Sequence, residues 1–343
     1  MGVNLTPIIV KRVISLDDLK ERTLAVDANN YLHEFTALIR KPDGQLLTDS
    51  EGRVTSHLIG LAFRTTRLLT DYGIKTIFVF DGKPPRLKEA EVQKRRTQRR
   101  KAEEEWKEAL SAKDYAAAFS KAVMTGRLTG DMIQDAKHLL DLLGIPWVQA
   151  PGEAEAQAAH IALRGEAWAS SSKDYDSLLF GTPRLVRYLT ITGTEFLPSK
   201  GTARRLLPEI IELDTFLSHY GLTRTQLIDL AILVGTDFNK GVRGVGPKTA
   251  LKLVKKHGSL ENLPEEMREK LPSDLDSIRR IFLDPDVTDN YEVKWGIVQE
   301  ADLYDFLCVE RGFSKKRVET LLERMKKLYA QKSLGNWLQG GLN

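Results

Sequence analysis

The run Thr76-Ile-Phe-Val-Phe-Asp81 decides the fold class, because a series of strand-forming residues ends directly in a carboxylate. The same pattern recurs at Thr23-Leu-Ala-Val-Asp27, and Ala167-Trp-Ala-Ser170 comes shortly before Asp174. Short apolar runs of this kind are typical of buried strands. We therefore predict strands with acidic residues at or just beyond their carboxyl ends.

Stretches with helical spacing of apolar residues separate these strands, for example residues 56–72 and 131–143. This alternation predicts an α/β fold with a largely parallel central sheet. In such sheets, ligands bind beyond the carboxyl ends of the strands. The topology alone therefore predicts a functional site where the acids lie.

Carboxylates make up the candidate site, and their number favours a metal centre. Like charges brought together repel one another, and hard oxygen ligands select Mg²⁺ or Mn²⁺. Two such ions about 4 Å apart are the usual machinery of phosphodiester hydrolysis. The acids are Asp27, Asp81, Glu153, Glu155, Asp174, Asp176 and Asp237.

Two pairs within this set are spaced by two residues. Asp174 and Asp176 follow a predicted strand, where an extended backbone would place both side chains on one side. Glu153 and Glu155 are predicted to open a helix, where acids also complement the helix dipole without any metal. A single acid at a strand end would mean little, so the prediction depends on the whole set.

Residues 82 to about 130 are predicted to be a helical insertion that projects from the sheet, because their apolar residues are sparse near its start. Lys88 and Arg95 stand seven residues apart, which puts them on one helix face with Arg99 close by. They could hold a scissile phosphate and stabilise its developing charge. If this helix does not approach the acids, the same residues are a solvated basic face.

The segment Gly241-Val-Arg-Gly-Val-Gly-Pro-Lys-Thr249 is similar to a nucleotide-binding Walker loop, but Pro247 stands where that loop needs its lysine. We therefore exclude triphosphate binding, and the glycine spacing also argues against a dinucleotide fold. A tight turn that opens a helix remains, and its N–H groups and lysines can hold a nucleic-acid phosphate without reading bases. A purely structural turn between two helices is compatible with the same residues.

The composition is typical of a folded protein, with 343 residues of which 42% are hydrophobic. The formal net charge is +4, but basic residues are concentrated in blocks at 83–101 and 240–256, which suit a polyanionic partner. The single cysteine, Cys308, excludes an internal disulfide and fits a reducing cytosol. Without a long apolar run or a basic-then-apolar leader, neither a membrane span nor secretion is expected.

Residues 331–343 are predicted to be a flexible tail. Within it, Gln331-Lys-Ser-Leu-Gly-Asn-Trp-Leu338 places apolar side chains three residues apart among polar ones. An exposed Trp-Leu pair usually indicates a partner. The alternative is a closing turn of the last helix, folded back on the body.

With these residues in view, the chain resembles the archaeal flap endonucleases of the XPG-like structure-specific 5′ nuclease family, and the similarity runs nearly end to end. The motifs that carry the resemblance are Met1-Gly-Val3, Val26-Asp-Ala28, Val79-Phe-Asp-Gly-Lys-Pro-Pro85, Ala150-Pro-Gly-Glu-Ala-Glu-Ala156, Ser172-Lys-Asp-Tyr-Asp176, Gly235-Thr-Asp237 and Arg243-Gly-Val-Gly-Pro-Lys248.

The resemblance implies a PIN-like (SAF) nuclease fold in a single domain over residues 1–330. Its parts would be an N-terminal region at 1–100, a helical arch at about 82–130, an internal region at about 140–240 and a helix-two-turns-helix element at about 225–260. The implied activity is 5′ flap endonuclease and 5′-3′ exonuclease cleavage by two-metal-ion catalysis, in Okazaki fragment maturation and repair. The protein would act as a monomer on branched DNA, in the cytoplasm with the nucleoid.

The resemblance also implies roles for single residues. Lys88 and Arg95 would be catalytic, and the acids named above would carry two Mg²⁺ or Mn²⁺ ions. Arg40 and Arg64 would lie near the substrate, and Thr55 with Phe313 would help to form a pocket for a one-nucleotide 3′ flap. The turn that grips the duplex, where similar proteins hold a monovalent cation, would use Gly241, Arg243, Gly244, Gly246 and Lys248.

Two positions depart from the family pattern. Gln331, Leu334, Trp337 and Leu338 match the motif that binds the sliding clamp PCNA, but Leu338 replaces the second aromatic residue often found there. His33 stands where relatives usually carry a tyrosine that stacks on a base next to the cut. An imidazole stacks with less area and carries a pH-dependent charge.

Three rival functions are weighed against this one. The complete acid set disfavours a non-catalytic DNA-binding adaptor that docks on the clamp. A Mg²⁺-dependent phosphatase of the aspartyl-phosphate type would use Asp27 as nucleophile, but it usually needs a second Asp where Asn29 stands. A PIN-type ribonuclease would need neither the glycine turn nor the clamp motif.

Overall fold

The computed structural model describes residues 2–189, 193–197 and 202–340, so Met1 of the first motif lies outside the described residues. Strands form one large sheet and one separate pair. The large sheet contains β1 (Arg12–Val13), β2 (Thr23–Asp27), β3 (Lys75–Phe80), β4 (Trp147–Gln149), β5 (Ala169–Ser171), β6 (Arg184–Arg187) and β9 (Glu209–Glu212), and the pair is β7 (Gly193–Leu197) with β8 (Thr202–Leu206).

The large sheet has the strand order β1-β9-β6-β5-β2-β3-β4. Its strands from β6 to β4 run parallel, and β9 and β1 are antiparallel at one edge. In the register of β2 and β3, Asp27 lies opposite Val79, two residues before Asp81. Carboxyl ends of parallel strands share one edge of the sheet, so these two acids become neighbours. The predicted largely parallel α/β sheet is confirmed.

Side chains of the central strands alternate between two buried faces, as the two-residue period of a strand requires. Leu24 and Val26 of β2 pack into one hydrophobic cluster, whereas Ala25 between them packs into another. Phe78 and Val79 of β3 divide in the same way. Burial on both faces explains why these strands read as continuous apolar runs.

The α-helices alternate with strands in the first part of the chain, as predicted, and follow one another after β9. They are α1 (Ala28–Leu38), α2 (Ser56–Ile59), α3 (Thr66–Tyr72), α4 (Glu89–Ser111), α5 (Tyr115–Met124), α6 (Gly130–Leu143), α7 (Ala154–Leu163), α8 (Asp176–Leu179), α9 (Leu213–Tyr220), α10 (Arg224–Val234), α11 (Pro247–His257), α12 (Glu265–Arg268), α13 (Leu275–Leu283), α14 (Glu300–Tyr304) and α15 (Lys315–Gly340). Between α2 and α3, residues Gly60–Thr65 form a π-helical segment, so the predicted helix at 56–72 is one rod with a widened turn.

Helices α4 and α5 occupy the predicted insertion and form an antiparallel pair, referred to below as the arch. The pair is joined by the Lys121–Glu105 ion pair, with Nζ and Oε2 2.6 Å apart. Its far end also contacts the body, because the indole Nε1 of Trp106 donates to the carbonyl oxygen of Asp43 at 3.2 Å. The base of the arch begins at a 3₁₀ turn, Arg86–Lys88, directly after the Asp81 motif.

The glycine turn lies between α10 and α11, and its backbone explains its sequence. Gly241 has φ +70°, and a Cβ there would overlap the carbonyl of Val234. Gly244 is also left-handed, with φ +84°. Gly246 precedes α11 and Pro247 is its first residue, where a missing N–H costs nothing.

An irregular strap, residues 284–299, crosses the back of the sheet. Its Tyr291, Val293 and Trp295 pack on the cluster that contains Ala25 and the alanines of α7. The strap is tied to α7 by Gln157, whose side chain donates to the carbonyl of Thr288 at 2.9 Å and accepts from its N–H at 2.8 Å. It therefore completes the core on the face opposite the first cluster.

The last helix, α15, runs to Gly340 and therefore includes the clamp-motif positions. The flexibility expected from residue 331 stays a prediction. Residues from Lys315 onward are mostly good helix formers, and the isolated Gly335 costs only about 1 kcal/mol in a helix. No helix among residues 2–189, 193–197 and 202–340 has the length and apolar character to cross a bilayer.

Candidate active site

The acids of the candidate site reach one edge of the sheet from separate elements. Asp27 ends β2 and caps α1, since its Oδ1 accepts from the backbone N–H of Asn30 at 2.9 Å. Asp81 follows β3, and Glu153 and Glu155 flank the first residue of α7. Asp237 comes from the loop after α10.

The local prediction for the pair Asp174 and Asp176 is wrong. Strand β5 ends at Ser171, and the pair lies in a bend that leads into α8, not in extended backbone. Tyr175 between them is buried in the hydrophobic cluster beneath, with 4% of its surface exposed. Burial of this ring turns the chain, and both carboxylates still face the other acids.

Electrostatic repulsion links the acids to one another. Burial, followed by the charges of Asp81 and Asp174, raises the pKa of Asp27 well above its usual value. Burial and the neighbouring carboxylates also raise the pKa of Glu155, and they raise the pKa of Asp176 to about 7. An oxygen-only donor set with this much unrelieved negative charge fits Mg²⁺ or Mn²⁺.

Two cations enter this acidic edge, Lys88 from the 3₁₀ turn at the base of the arch and Arg95 from α4. The ammonium of Lys88 contacts Glu153 and lies 3.3 Å from Oδ2 of Asp237. The guanidinium of Arg95 donates from Nη2 to both oxygens of Asp237, at 2.7 and 2.8 Å. Burial alone would raise the pKa of Asp237, but Lys88 and Arg95 outweigh it and the pKa lies below its ordinary value.

The structure therefore brings Lys88 and Arg95 to the acids, as the catalytic hypothesis requires. Arg99 lies on the same helix, and the charges of Arg95 and Arg127 help to lower its pKa after burial. Within the described part of the chain, no three acidic, histidine or cysteine side chains are already gathered in the geometry of a metal cage. In this arrangement the arch cations neutralise Glu153 and Asp237.

Backbone and hydroxyl donors orient several of the carboxylates. Oδ1 of Asp81 accepts from the N–H of Ala154 at 2.8 Å, which joins the end of β3 to the start of α7. Glu155 accepts from the hydroxyl of Ser172 at 2.6 Å. Asp176 accepts from the buried N–H of Val3 at 2.7 Å, so a residue far away in sequence holds this acid.

Gly2 makes the approach of Val3 to Asp176 possible, because a Cβ at Gly2 would lie within about 2.5 Å of the Asp176 carboxylate. We expect Gly2→Ala to displace this carboxylate and to lower cleavage of flap DNA about a hundredfold, the usual cost of moving a catalytic group by about 1 Å. Rates are measured under single-turnover conditions. Gly130→Ala is the matched control, because a Cβ at Gly130 meets nothing within 4 Å. Equal rates for the two variants would contradict this role.

Two residues of the site were missed from the sequence. The side-chain amide of Asn29 donates to Oδ2 of Asp81 at 2.8 Å, and that of Asn30 donates to Oδ2 of Asp174 at 3.3 Å. Their position in the first turn of α1, just beyond Asp27, could have indicated a place in the site. The first turn of a helix that follows a strand lies at the same edge of the sheet as the end of that strand.

His33 lies on α1, half-buried, and faces the arch. Burial, together with the charges of Arg99 and Arg95, lowers its pKa to about 4. The imidazole is therefore neutral near pH 7, so the ring carries no charge that would weaken stacking on a base. Because the unfolded chain binds this proton near pH 6.5 and the folded protein does not, the contribution of His33 to stability falls as the pH drops from about 6.5 towards 4.

We expect the His33 ring to stay uncharged from about pH 5 to 8, so that wild type and His33→Phe differ in cleavage rate by a constant factor over this range. The direct measurement is NMR titration of the His33 ring, assigned by its absence in His33→Phe. A midpoint near 6.5 in the free protein would refute the assignment.

The remaining predicted DNA contacts lie after α1, at the start of α2, in the π-helical segment between α2 and α3, and just before α15. Arg40 donates from Nε to the carbonyl of Thr36 at 2.7 Å and from Nη1 to that of Gly44 at 2.8 Å, so it shapes the loop after α1. Arg64 lies over the ring of Phe35 at 5.9 Å. Thr55 is buried, and Phe313 stacks on Phe63 with centroids 6.2 Å apart. Roles of these residues towards DNA stay predictions.

In the turn between α10 and α11, Arg243, Gly244, Gly246 and Lys248 are exposed and Gly241 is half-buried. Asp237 of the acidic edge belongs to the same connection between α10 and α11. The side chains of Gln331, Leu334, Trp337 and Leu338 lie outside what the structure describes.

Comparison with protein families identifies the class to which this fold and acidic edge belong, the XPG nucleases. Residues 1–102 match the XPG N-terminal domain and residues 144–237 match the XPG I-region. The interval between the two matches, 103–143, contains most of the arch and α6.

The chain belongs to the flap endonuclease 1 family. It is 47% identical to flap endonuclease 1 of Hyperthermus butylicus, over 99% of this chain and 100% of that protein. It is 45% identical to flap endonuclease 1 of Methanosarcina barkeri, over 98% and 100%. Members of this family are nucleases, so the prediction that this protein is a nuclease is confirmed.

Solved structures agree with this assignment. Flap endonuclease-1 from Methanococcus jannaschii superposes with a TM-score of 0.77 at 38% identity, covering 96% of this chain and 100% of that one. The catalytic core of Rad2 in complex with DNA substrate superposes with a TM-score of 0.71 at 23% identity, covering 94% and 100%. The second likeness concerns the fold, and it supports the predicted PIN-like nuclease architecture.

Proposed function

We propose that this protein hydrolyses a DNA phosphodiester at the junction of a 5′ flap and duplex, with 5′-3′ exonuclease activity at the same site. The observation that carries the proposal is the acidic edge closed by Lys88 and Arg95 of the arch. Acids alone would suit many metal enzymes. A phosphate that enters between the acids and the arch would lie beside the positive charges of Lys88 and Arg95, which suit it.

Asp27, Asp81, Glu153, Glu155, Asp174, Asp176 and Asp237 would hold two divalent cations, Mg²⁺ or Mn²⁺. Bound there, the cations supply a hydroxide-like nucleophile and neutralise charge on the reacting phosphate. The fit rests on the donor chemistry, which is entirely carboxylate, and on burial together with mutual repulsion, which raise the pKa of Asp27 and Glu155.

Lys88 and Arg95 would change partners during the reaction. In the structure they neutralise Glu153 and Asp237. Once those carboxylates are compensated otherwise, both side chains are free to contact the scissile phosphate, and Arg95 can offer two parallel N–H donors. His33, beside Arg95 and Arg99, would stack as a neutral ring on a base next to the cut.

DNA would be held through its shape and backbone. The exposed Arg243 and Lys248, with the N–H groups at the start of α11, suit a duplex phosphate, and the turn between α10 and α11 would be the place for a monovalent cation. Arg40, Arg64, Thr55 and Phe313 would lie near the junction and its 3′ flap. The proposed enzyme acts as a monomer in the cytoplasm, on branched DNA of replication and repair.

The test compares three labelled substrates, 5′-flap DNA, single-stranded RNA and a phosphomonoester, each with Mg²⁺ and with excess chelator. We expect cleavage of flap DNA alone and only with metal. Hydrolysis of the phosphomonoester would indicate a phosphatase, and preference for RNA would indicate a ribonuclease. Binding without cleavage would indicate an adaptor.

The clamp motif gives a separate prediction. If Leu334 and Trp337 anchor a sliding clamp, the double variant Leu334→Ala/Trp337→Ala should weaken clamp binding by about 2 kcal/mol or more, the range of buried interface anchors. Binding is measured by calorimetry with the archaeal clamp, and Lys332→Ala is the control within the same segment. Flap cleavage without clamp should be unchanged. Equal clamp affinity in all forms would contradict the motif.

A further inference from the structure

Asn29 is placed within the acidic edge although no role has been assigned to it. It lies in the first turn of α1, two residues after Asp27. Its Nδ2 donates to Oδ2 of Asp81 at 2.8 Å, while Oδ1 of Asp81 accepts from the N–H of Ala154 at 2.8 Å. The carboxylate of Asp81 is therefore held from two sides, by α1 and by α7.

The contact with Asp81 fixes the orientation of the Asn29 amide. An ionised carboxylate accepts hydrogen bonds and donates none, so the NH₂ group must face Asp81 and Oδ1 must face away. This Oδ1 is shielded from solvent, and among the described residues it has no hydrogen-bond partner. Buried polar atoms are nearly always paired, so an orphaned oxygen within a group of acids indicates a site for a cationic or donor ligand.

The surroundings of Asn29 select the kind of ligand. The neighbouring Asn30 donates to Asp174 at 3.3 Å, Asp27 stands two residues before Asn29, and Asp81 accepts from the Asn29 amide. Acceptors dominate this corner, and the amide oxygen is one more. An amide oxygen is a hard donor suited to Mg²⁺ and Mn²⁺, and it adds a ligand without adding negative charge to a set that is already all carboxylate.

We propose that Asn29 belongs to the metal site, where Nδ2 holds Asp81 in place and Oδ1 offers an uncharged oxygen to a divalent cation or to the water it carries. The inference rests on the proposed function, since it needs the acids to bind metal. It adds a residue that the carboxylate pattern does not include.

The experiment measures metal binding without DNA. Mn²⁺ is titrated into the full chain, and free Mn²⁺ is followed by electron paramagnetic resonance. We expect Asn29→Leu, which keeps the approximate volume and removes both polar contacts, to weaken Mn²⁺ binding about 10- to 100-fold, as loss of a supporting group around a metal ligand usually does. The Mg²⁺ concentration needed for half-maximal flap cleavage should rise in parallel.

The matched control is Asn290→Leu, an equal change at an exposed position on the strap. It should bind Mn²⁺ as the wild type does. If circular dichroism shows that Asn29→Leu does not fold, Asn29→Ser is measured instead. The short serine hydroxyl reaches neither Asp81 nor the cation, so the same loss of Mn²⁺ affinity is expected. Loss of thermal stability with unchanged Mn²⁺ affinity would make Asn29 merely structural and overturn the inference.

Different results would overturn the proposed function and the role of Asn29. Wild-type protein that binds no Mn²⁺ and cleaves in excess chelator would overturn the proposed function. Wild-type protein that binds Mn²⁺ with an affinity equal to that of Asn29→Leu would leave the function intact and overturn only the role of Asn29.

Discussion

The Asp176→Ala variant should still bind flap DNA but lose nearly all of its cleavage activity. Asp176 is 4% exposed, lies among the other acids and is held by the N–H of Val3. A divalent cation contributes several kcal/mol to the stabilisation of a phosphoryl transition state, so loss of a ligand should lower the single-turnover rate about a thousandfold or more. DNA affinity, measured by fluorescence anisotropy, should change little because the duplex contacts lie elsewhere.

Two further variants separate chemistry from folding. Asp176→Asn keeps an oxygen that can accept from Val3, so its thermal unfolding should stay near that of the wild type while its cleavage rate falls. Asp302→Ala removes an exposed acid on α14 and should cleave normally. Wild-type turnover by Asp176→Ala would remove this residue from the catalytic set.

The second large effect is expected for Arg95→Ala. This guanidinium makes a two-bond contact with Asp237 and comes from the arch, so it can move from a carboxylate to a phosphate. Loss of one preorganised donor to developing charge usually costs about 10²- to 10³-fold in rate. We expect a loss of this size in single-turnover cleavage, and a smaller loss for Arg95→Lys, which keeps the charge but not the planar fork.

Arg96→Ala is the control, because Arg96 has the same charge on the same helix and faces solvent. It should weaken DNA binding slightly, more so at low salt, and leave the rate of bound substrate unchanged. If Arg95→Ala and Arg96→Ala lose activity equally, the arch acts through its net charge and not through a placed guanidinium.

The sequence was most informative where local pattern and topology agree. Asp27 and Asp81 could be placed together because parallel strands bring their carboxyl ends to one edge. The bend at Asp174 and Asp176 could not be predicted from the sequence. It depends on the burial of Tyr175 and on a hydrogen bond from Val3, and both are tertiary contacts. Periodicity carries no information about such contacts.

Spatial neighbours distant in sequence were the other limit. Asn29 was set aside as a mismatch to a phosphatase motif, yet its amide reaches Asp81 at a separation of 52 residues. The sequence could not decide whether Lys88 and Arg95 approach the acids. Their contacts with Asp237 depend on how the arch is placed in three dimensions.

The strap at 284–299 bears on how the protein is made. Domains form as the ribosome releases them, and exposed apolar surface in a partial chain invites aggregation. Until Tyr291, Val293 and Trp295 have emerged, the face of the sheet that carries Ala25 and Ile77 lacks the strap that covers it together with α7. A nascent chain that already contains every acid of the candidate site therefore still lacks part of its core. We expect it to reach full activity only after the strap has left the ribosome.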